Sequence, residues 1–257
     1  VSLLEVRGLT RRFGGVVAAR DVSFTLAGGE MLALIGPNGA GKSTVFNAIG
    51  GQLRPDDGQV LLEGRDITGT RPAALARLGL GRTFQVAQTF ASASVLGNVR
   101  LALLVRHGHA HDMLRREAAL YREEAMAILA RLGLEALAAR PVAELAYGDV
   151  KRVELAIALA AAPRLLLMDE PTAGMAPAER ADLMRLVAAL ARGEGLGVLF
   201  TEHDMEAVFA HADRIIVLLA GEVVAAGRPE EVRADPQVQR AYLGGAGLRA
   251  AGRARRA

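Results

Sequence analysis

Residues 31–35 run Met-Leu-Ala-Leu-Ile with no polar side chain, break into Gly36-Pro37-Asn38-Gly39-Ala40-Gly41, and resume as Lys42-Ser43-Thr44-Val45-Phe46-Asn47-Ala48-Ile49. A short apolar run bounded by turn residues predicts a buried strand, and the spacing after Gly41 predicts a helix. Strand-like runs at 3–6, 16–19, 22–26 and 59–63 are separated by Gly, Asp and Pro turns and predict an antiparallel flank around this segment. After Pro72 the pattern turns helical, and from Val95 to about Leu132 it is mostly helix, interrupted near 106–111. Residues 165–168 and 197–201 predict two more buried strands. They alternate with helices over 149–162, 178–191 and 205–212, which implies parallel pairing with the strand ends facing the Gly-rich loop. A strand at 214–219, a Gly221-Glu222 turn, a strand at 223–226 and a short helix over 229–233 close the pattern. No internal repeat is visible. The expected fold class is α/β, with a mainly parallel core sheet and an antiparallel N-terminal flank. It occupies a single domain over 1–243, with a helical subdomain inserted at about 86–162 and a flexible basic tail at 244–257.

Composition narrows the setting. With 257 residues and 51% apolar content, the chain can bury a sizeable core. No apolar run approaches the ~18 residues of a membrane span, since the best, 155–162, meets Pro163 and Arg164. Residues 1–7 alternate like a strand and lack the basic start and apolar centre of a signal peptide, so the expected compartment is the cytosol. Without cysteine there is no disulfide or thiolate metal site. The net charge is only +3 because 31 basic residues are nearly balanced by 28 acidic ones, and with the arginines interspersed with acids no nucleic-acid partner is expected. The only lysines are Lys42 and Lys151. In a chain that otherwise uses arginine, Lys42 stands where a compact ammonium fits between phosphates. His107, His109 and His111 sit in the polar interruption without a further ligand at useful spacing, and a solvated loop is the expectation. Arg249, Arg253, Arg255 and Arg256 read as a solvated end.

The Gly-rich stretch from Gly36 to Thr44, between strand and helix, has the chemistry of a phosphate loop. Its glycines let successive N–H groups point inward, the helix adds its positive end, Lys42 reaches the β- and γ-phosphates, and Ser43 offers a hydroxyl to Mg²⁺. Asp169, at the end of an apolar strand, is placed to hold Mg²⁺ through water. Glu170 projects differently and suits a base that polarises an attacking water. His203 lies just past the next strand, within reach of a γ-phosphate, and Gln85 suits the metal or the attacking water.

In order along the chain, these positions resemble the ATP-binding subunits of ABC transporters, over nearly the whole length from Phe13 to about Leu243. Phe13 matches the aromatic that stacks on adenine, and Gly36, Pro37, Asn38, Gly39, Ala40, Gly41, Lys42, Ser43 and Thr44 match the Walker A loop. Gln85 matches the Q-loop, and Leu145-Ala146-Tyr147-Gly148-Asp149 the signature. Asp169 ends Walker B, Glu170 matches the catalytic glutamate, Ala173-Gly174-Met175-Ala176 the D-loop and His203 the switch histidine. The resemblance implies a P-loop NTPase of the ABC type that binds ATP and Mg²⁺, with Ser43, Gln85 and Asp169 at the metal. It also implies a head-to-tail dimer, of two copies or with a homologous subunit, in which Ala146, Tyr147, Gly148 and Asp149 close over the partner's ATP. Gly148, just before a helix beginning near Asp149, would present N–H groups to that γ-phosphate. The expected partners are transmembrane permease subunits and, through them, a substrate-binding protein, which puts the chain on the inner face of the membrane.

Arg82-Thr83-Phe84-Gln85, Phe90, Val95-Leu96-Gly97-Asn98-Val99 and the C-terminal wording at 227–232 and 238–244 are similar to importers of branched-chain and other hydrophobic amino acids. Urea and short-amide importers share much of it. Two positions depart from the family pattern. Ala146 stands where the signature has serine, and Ala176 stands where the D-loop has Asp or Asn, leaving half a capping box with Glu179. A soluble ABC ATPase or a nucleotide-regulated scaffold is the alternative from another class. The coiled coil of DNA-repair members, the paired cassettes of ribosome-bound members and the guanine-selecting Asn-Lys-x-Asp of GTPases are all missing from the sequence.

Overall fold

The computed structural model describes residues 2–85, 87–109 and 121–242, and its strands pair into two sheets. The antiparallel sheet has the order β2-β1-β4-β5, from β1 (Ser2–Phe13), β2 (Val16–Ala27), β4 (Asp57–Leu62) and β5 (Arg65–Asp66). The larger sheet has the order β10-β9-β3-β8-β7-β6, from β3 (Met31–Ile35), β6 (Leu80–Thr83), β7 (Leu165–Asp169), β8 (Gly197–Thr201), β9 (Arg214–Leu219) and β10 (Glu222–Gly227). It is parallel throughout except for the β9–β10 hairpin.

Two hydrophobic cores explain why the central strands are continuously apolar. Met31, Ala33 and Ile35 of β3 enter one core while Leu32 and Leu34 enter the other, and on β7 Leu166 and Met168 oppose Leu165 and Leu167 in the same way. Successive side chains leave a strand on opposite faces, so a sheet covered on both sides admits no polar alternation. Each fully buried aliphatic side chain here contributes about 1.5 to 3 kcal/mol of transfer free energy. The core containing Leu32 and Leu34 is closed by the antiparallel sheet and by Val45, Phe46, Ala48 and Ile49 of α1 (Lys42–Ile49).

The other core receives α3 (Val95–Arg106), α4 (Arg122–Arg131), α5 (Tyr147–Ala160), α6 (Pro177–Glu194) and α7 (Met205–His211), with α2 (Pro72–Arg77) joining the first core through Leu75. Helices α3, α4 and α5 pack on one another. Ser94 caps α3 by accepting from the Gly97 N–H at 3.0 Å. Asn98, buried inside that helix, accepts from the Phe90 N–H at 2.8 Å and donates to the carbonyls of Phe90 and Ser94. It pins the loop before α3 to the helix. The chain ends its described part in α8 (Pro229–Ala234) and α9 (Pro236–Tyr242).

Several boundaries differ from the expectation. The runs 16–19 and 22–26 are one strand, because Asp21 takes a positive φ of 49° and register shifts absorb the irregularity instead of breaking the pairing with β1. Strand β6 was not legible, since Gly81 and Arg82 interrupt its four residues. Helix α5 begins at Tyr147 with Ala146 as its N-cap, so Gly148 lies inside the first turn instead of preceding it. His107 stacks on Tyr121 with ring centroids 4.5 Å apart, and His109 Nδ1 meets the Tyr121 hydroxyl at 2.8 Å. His111 and the tail arginines lie outside the described residues, as do Val86 and Leu243.

Candidate functional site

At the end of β3 the chain must turn from a fully buried strand into α1 within residues 36–41. Gly41 has φ 102°, and a Cβ there would sit 2.1 Å from the Ala18 carbonyl oxygen, so a side chain is sterically excluded. As N-cap it brings no side-chain acceptor, which leaves first-turn N–H groups of α1 for an anion. Lys42 is buried and folds back over the loop, donating to the carbonyls of Gly36 and Pro37 at 2.7 and 3.2 Å. Burial lowers its ammonium below the usual lysine value, and the facing carboxylates of Glu170 and Asp169 act in the opposite direction. Ser43, one residue on, is exposed.

The parallel register puts Asp169 of β7 beside Thr201 of β8. The Thr201 hydroxyl donates to Asp169 Oδ1 at 2.7 Å and accepts from the Glu170 N–H at 3.1 Å. Glu170 has φ 48°, a conformation that a glutamate adopts only when its surroundings hold it there. Its carboxylate lies between two partners: His203 Nε2 lies 2.7 Å from Oε1, and Gln85 Nε2 donates to Oε2 at 3.0 Å.

A cavity of about 310 Å³ is lined by residues 38–44 together with Phe13, Ala18, Asp169, Glu170 and His203. Phe13, at the end of β1, is 49% exposed beside the loop. Gly36 and Pro37 stand behind the cavity as the carbonyls that hold Lys42. Gln85 reaches the cavity only through Glu170. Ala146, Tyr147, Gly148 and Asp149 do not line it. They start α5, where a Cβ on Gly148 would lie 3.2 Å from the Glu179 carboxylate and one on Gly174 would lie 3.3 Å from the Tyr147 ring. The signature stretch and the 173–176 loop of one chain therefore touch each other. Ala176 has no acceptor for the N–H groups of α6, but Glu179 Oε2 accepts from the Ala176 N–H at 3.2 Å, the surviving half of the cap.

Sequence reasoning passed over several residues that the fold brings here. Thr201 was read only as the end of a strand. Arg82 lies with its guanidinium 3.7 Å from Asp169 Oδ2 and donates to Asn47 Oδ1 at 2.9 Å, tying α1 to the end of β7. Glu202, buried, accepts from the Thr172 N–H at 2.8 Å and so ties the stretch after Glu170 to the stretch before His203. A polar residue closing an apolar strand, and an arginine amid a buried one, were the available signals.

Residues 19–173 match the family model described as ABC transporter, and residues 222–247 match that described as branched-chain amino acid ATP-binding cassette transporter. The chain is 40% identical over 249 residues to the high-affinity branched-chain amino acid transport ATP-binding protein LivG of Salmonella typhimurium, covering 94% of this chain and 98% of that one. It is 38% identical to the lipopolysaccharide export system ATP-binding protein LptB of Acidithiobacillus ferridurans, over 94% and 97% of the two chains. Among solved structures it is similar to the ADP conformation of MJ1267, an ATP-binding cassette of an ABC transporter. There the TM-score is 0.85 and the identity 33%, over 95% of this chain and 99% of that one. It is also similar to the dimeric post-hydrolysis state of the cassette MJ0796 bound to ADP and Pi, with TM-score 0.73 and 26% identity over 88% and 98% of the two chains.

Proposed function

The chain belongs to the ATP-binding subunits of ABC transporters, in their branched-chain amino acid group, and we propose that it powers import of branched-chain or other hydrophobic amino acids through a membrane permease. It is an ABC-type ATP hydrolase. The observation that carries the reading of its site is Glu170, clasped by His203 and Gln85 at the mouth of the cavity that holds the phosphate loop.

In this reading Phe13 stacks on adenine, the N–H groups of residues 38–44 and the Lys42 ammonium hold the phosphates, and Glu170 takes the proton of a water. That water's oxygen bonds to the γ-phosphorus as the bond to the ADP oxygen breaks. His203 keeps Glu170 aimed and reaches the γ-phosphate, and Gln85 orients the water. Ser43 and Asp169 at the cavity, with Gln85 beside it, are oxygen donors of the type a hard divalent cation takes, and Mg²⁺ held there would neutralise phosphate charge. Asp169, whose position Thr201 fixes, would hold it through water. Ala146, Tyr147, Gly148 and Asp149, outside their own cavity, serve the nucleotide of a second subunit, whether a copy or a homologue, and ATP closes the pair.

The helices between 86 and 162 act as the subdomain that transmits this closure. A cleft of about 790 Å³ between residues 73–79, α3 and α5 carries the exposed side chains of Phe90 and Val105 and suits a permease segment. Among the described residues no helix is long and apolar enough to cross a membrane. In this reading the chain works on the inner face through that partner, and a substrate-binding protein joins indirectly.

An affinity pull-down of the tagged chain from detergent-solubilised membranes of its source, followed by mass spectrometry, tests this. Recovery of a polytopic permease and an amino-acid-binding partner is expected. A partner that binds urea or short amides would move the substrate class, and only soluble partners would favour the scaffold reading.

A further inference from the structure

Lys151, the second of the chain's two lysines, has no place at the phosphate loop, yet it is 3% exposed, and Glu154 one turn along α5 is 4% exposed. Burying an ammonium and a carboxylate together is unfavourable unless their polar atoms find partners, and an apolar pair usually serves stability as well. Here the partners are backbone. Lys151 Nζ donates to the carbonyls of Phe84 at 2.9 Å and Gln85 at 2.8 Å, and lies 3.4 Å from Glu154 Oε2. Glu154 Oε1 accepts from the Phe84 N–H at 2.7 Å. The pair thus grips both polar groups of Phe84 and the carbonyl of Gln85, whose side chain donates to Glu170. The same helix starts with Ala146 to Asp149, and Lys151 Nζ lies 5.9 Å from the centre of the Tyr147 ring.

We propose that Lys151 and Glu154 are positioning residues that fix the backbone of Phe84 and Gln85 to the first turns of α5. Gln85 at this chain's own nucleotide and residues 146–149 at the partner's then shift as one body. The inference rests on the head-to-tail dimer of the preceding section. Two charges suit this task better than apolar side chains, because only they can hold N–H and C=O groups of an irregular segment in one geometry.

The test uses the full chain and the double variant Lys151→Met/Glu154→Leu, which leaves neither charge buried alone. Turnover is expected to fall by at least about tenfold, the factor of a lost charge-assisted hydrogen bond, while ATP affinity of the monomer and the thermal midpoint stay near wild type. In a Glu170→Gln background, ATP-driven dimerisation followed by sedimentation is expected to weaken by about the same factor. Lys151→Arg, which keeps donors for both carbonyls, should recover most of the turnover. Should the double variant fail to fold, Lys151→Gln/Glu154→Gln, which also leaves no charge buried alone, carries the test, with turnover down about threefold at unchanged ATP affinity. Wild-type turnover and dimerisation per folded molecule would overturn the proposal, because the pair would then serve stability alone. A Glu170→Gln chain that binds ATP and stays monomeric with Lys151 and Glu154 intact would instead overturn the dimer of two copies, and wild-type turnover of the double variant together with the homologous subunit would then overturn this inference.

Discussion

His203 Nε2 lies 2.7 Å from Glu170 Oε1, across two neighbouring strand ends, so the residue after β8 holds the carboxylate that follows β7. With Gln85 on the other oxygen, Glu170 is aimed by both partners at once.

On the proposed reading of Glu170 as the base, removing its carboxylate without changing its shape should stop chemistry and spare binding. Glu170→Gln is expected to lower turnover by about 10² to 10⁴ while ATP affinity changes little, read by phosphate release and equilibrium nucleotide binding. Turnover that survived would assign the base to another group.

At the signature, Ala146 caps α5 with backbone geometry alone, φ −63° and ψ 151°, which a serine also adopts. Ala146→Ser should add a hydroxyl bond to the partner's γ-phosphate and strengthen ATP-driven dimerisation roughly ten- to hundredfold, from about 1.5 to 3 kcal/mol for a hydrogen bond to a charged group. Sedimentation of the Glu170→Gln chain with and without the change measures it, and unchanged dimerisation would refute the view of Ala146 as a weakened position.

Helix α6 keeps Pro177 and the Glu179 half of its cap, and Ala176 sits at φ −65°, ψ 152° without a side-chain acceptor. Ala176→Asn should supply that acceptor and raise stability by about 1 kcal/mol, visible as a higher thermal midpoint. A midpoint that did not rise would mean the free N–H groups of the first turn already have a partner.

His211, half-buried at the end of α7, is pushed below the usual histidine value by burial first and then by Arg185 and Arg192. Its unfolded form, near pH 6.5, binds the proton more readily than the folded form, so stability should fall as pH drops from about 6.5 towards the folded value. Comparing thermal midpoints of wild type and His211→Gln at about pH 7.5 and 5.5 isolates the effect. The wild type should lose more than the variant on acidification, and parallel losses would exclude His211 as a source.

How far the sequence carried the fold depends on how local each feature is. The Gly36 to Thr44 loop was legible because strand, glycines and helix adjoin in the chain, and Asp169 and Glu170 because an apolar strand announces its own end. The buried strands 31–35, 165–168 and 197–201 were legible because a sheet covered on both faces leaves no room for polar residues. The exact start of α5 was not, since Tyr147 and Gly148 carry no capping signal.

The sequence by itself thus determined most of the strands and helices in their order, though not β6, and the Gly-rich loop between strand and helix with its strand-end acids. Tertiary structure alone decided that β8 lies between β3 and β7, which sets Thr201 against Asp169 and His203 against Glu170. It also decided that Phe13 joins the cavity and that Lys151 and Glu154 reach back to Phe84 and Gln85. The physical reason is that propensity and periodicity are properties of neighbouring residues. A buried charge or hydroxyl is chosen by whichever backbone group the packed sheet and helices deliver to it, here from 32 residues away for Thr201 and Asp169 and from 70 for Glu154 and Phe84.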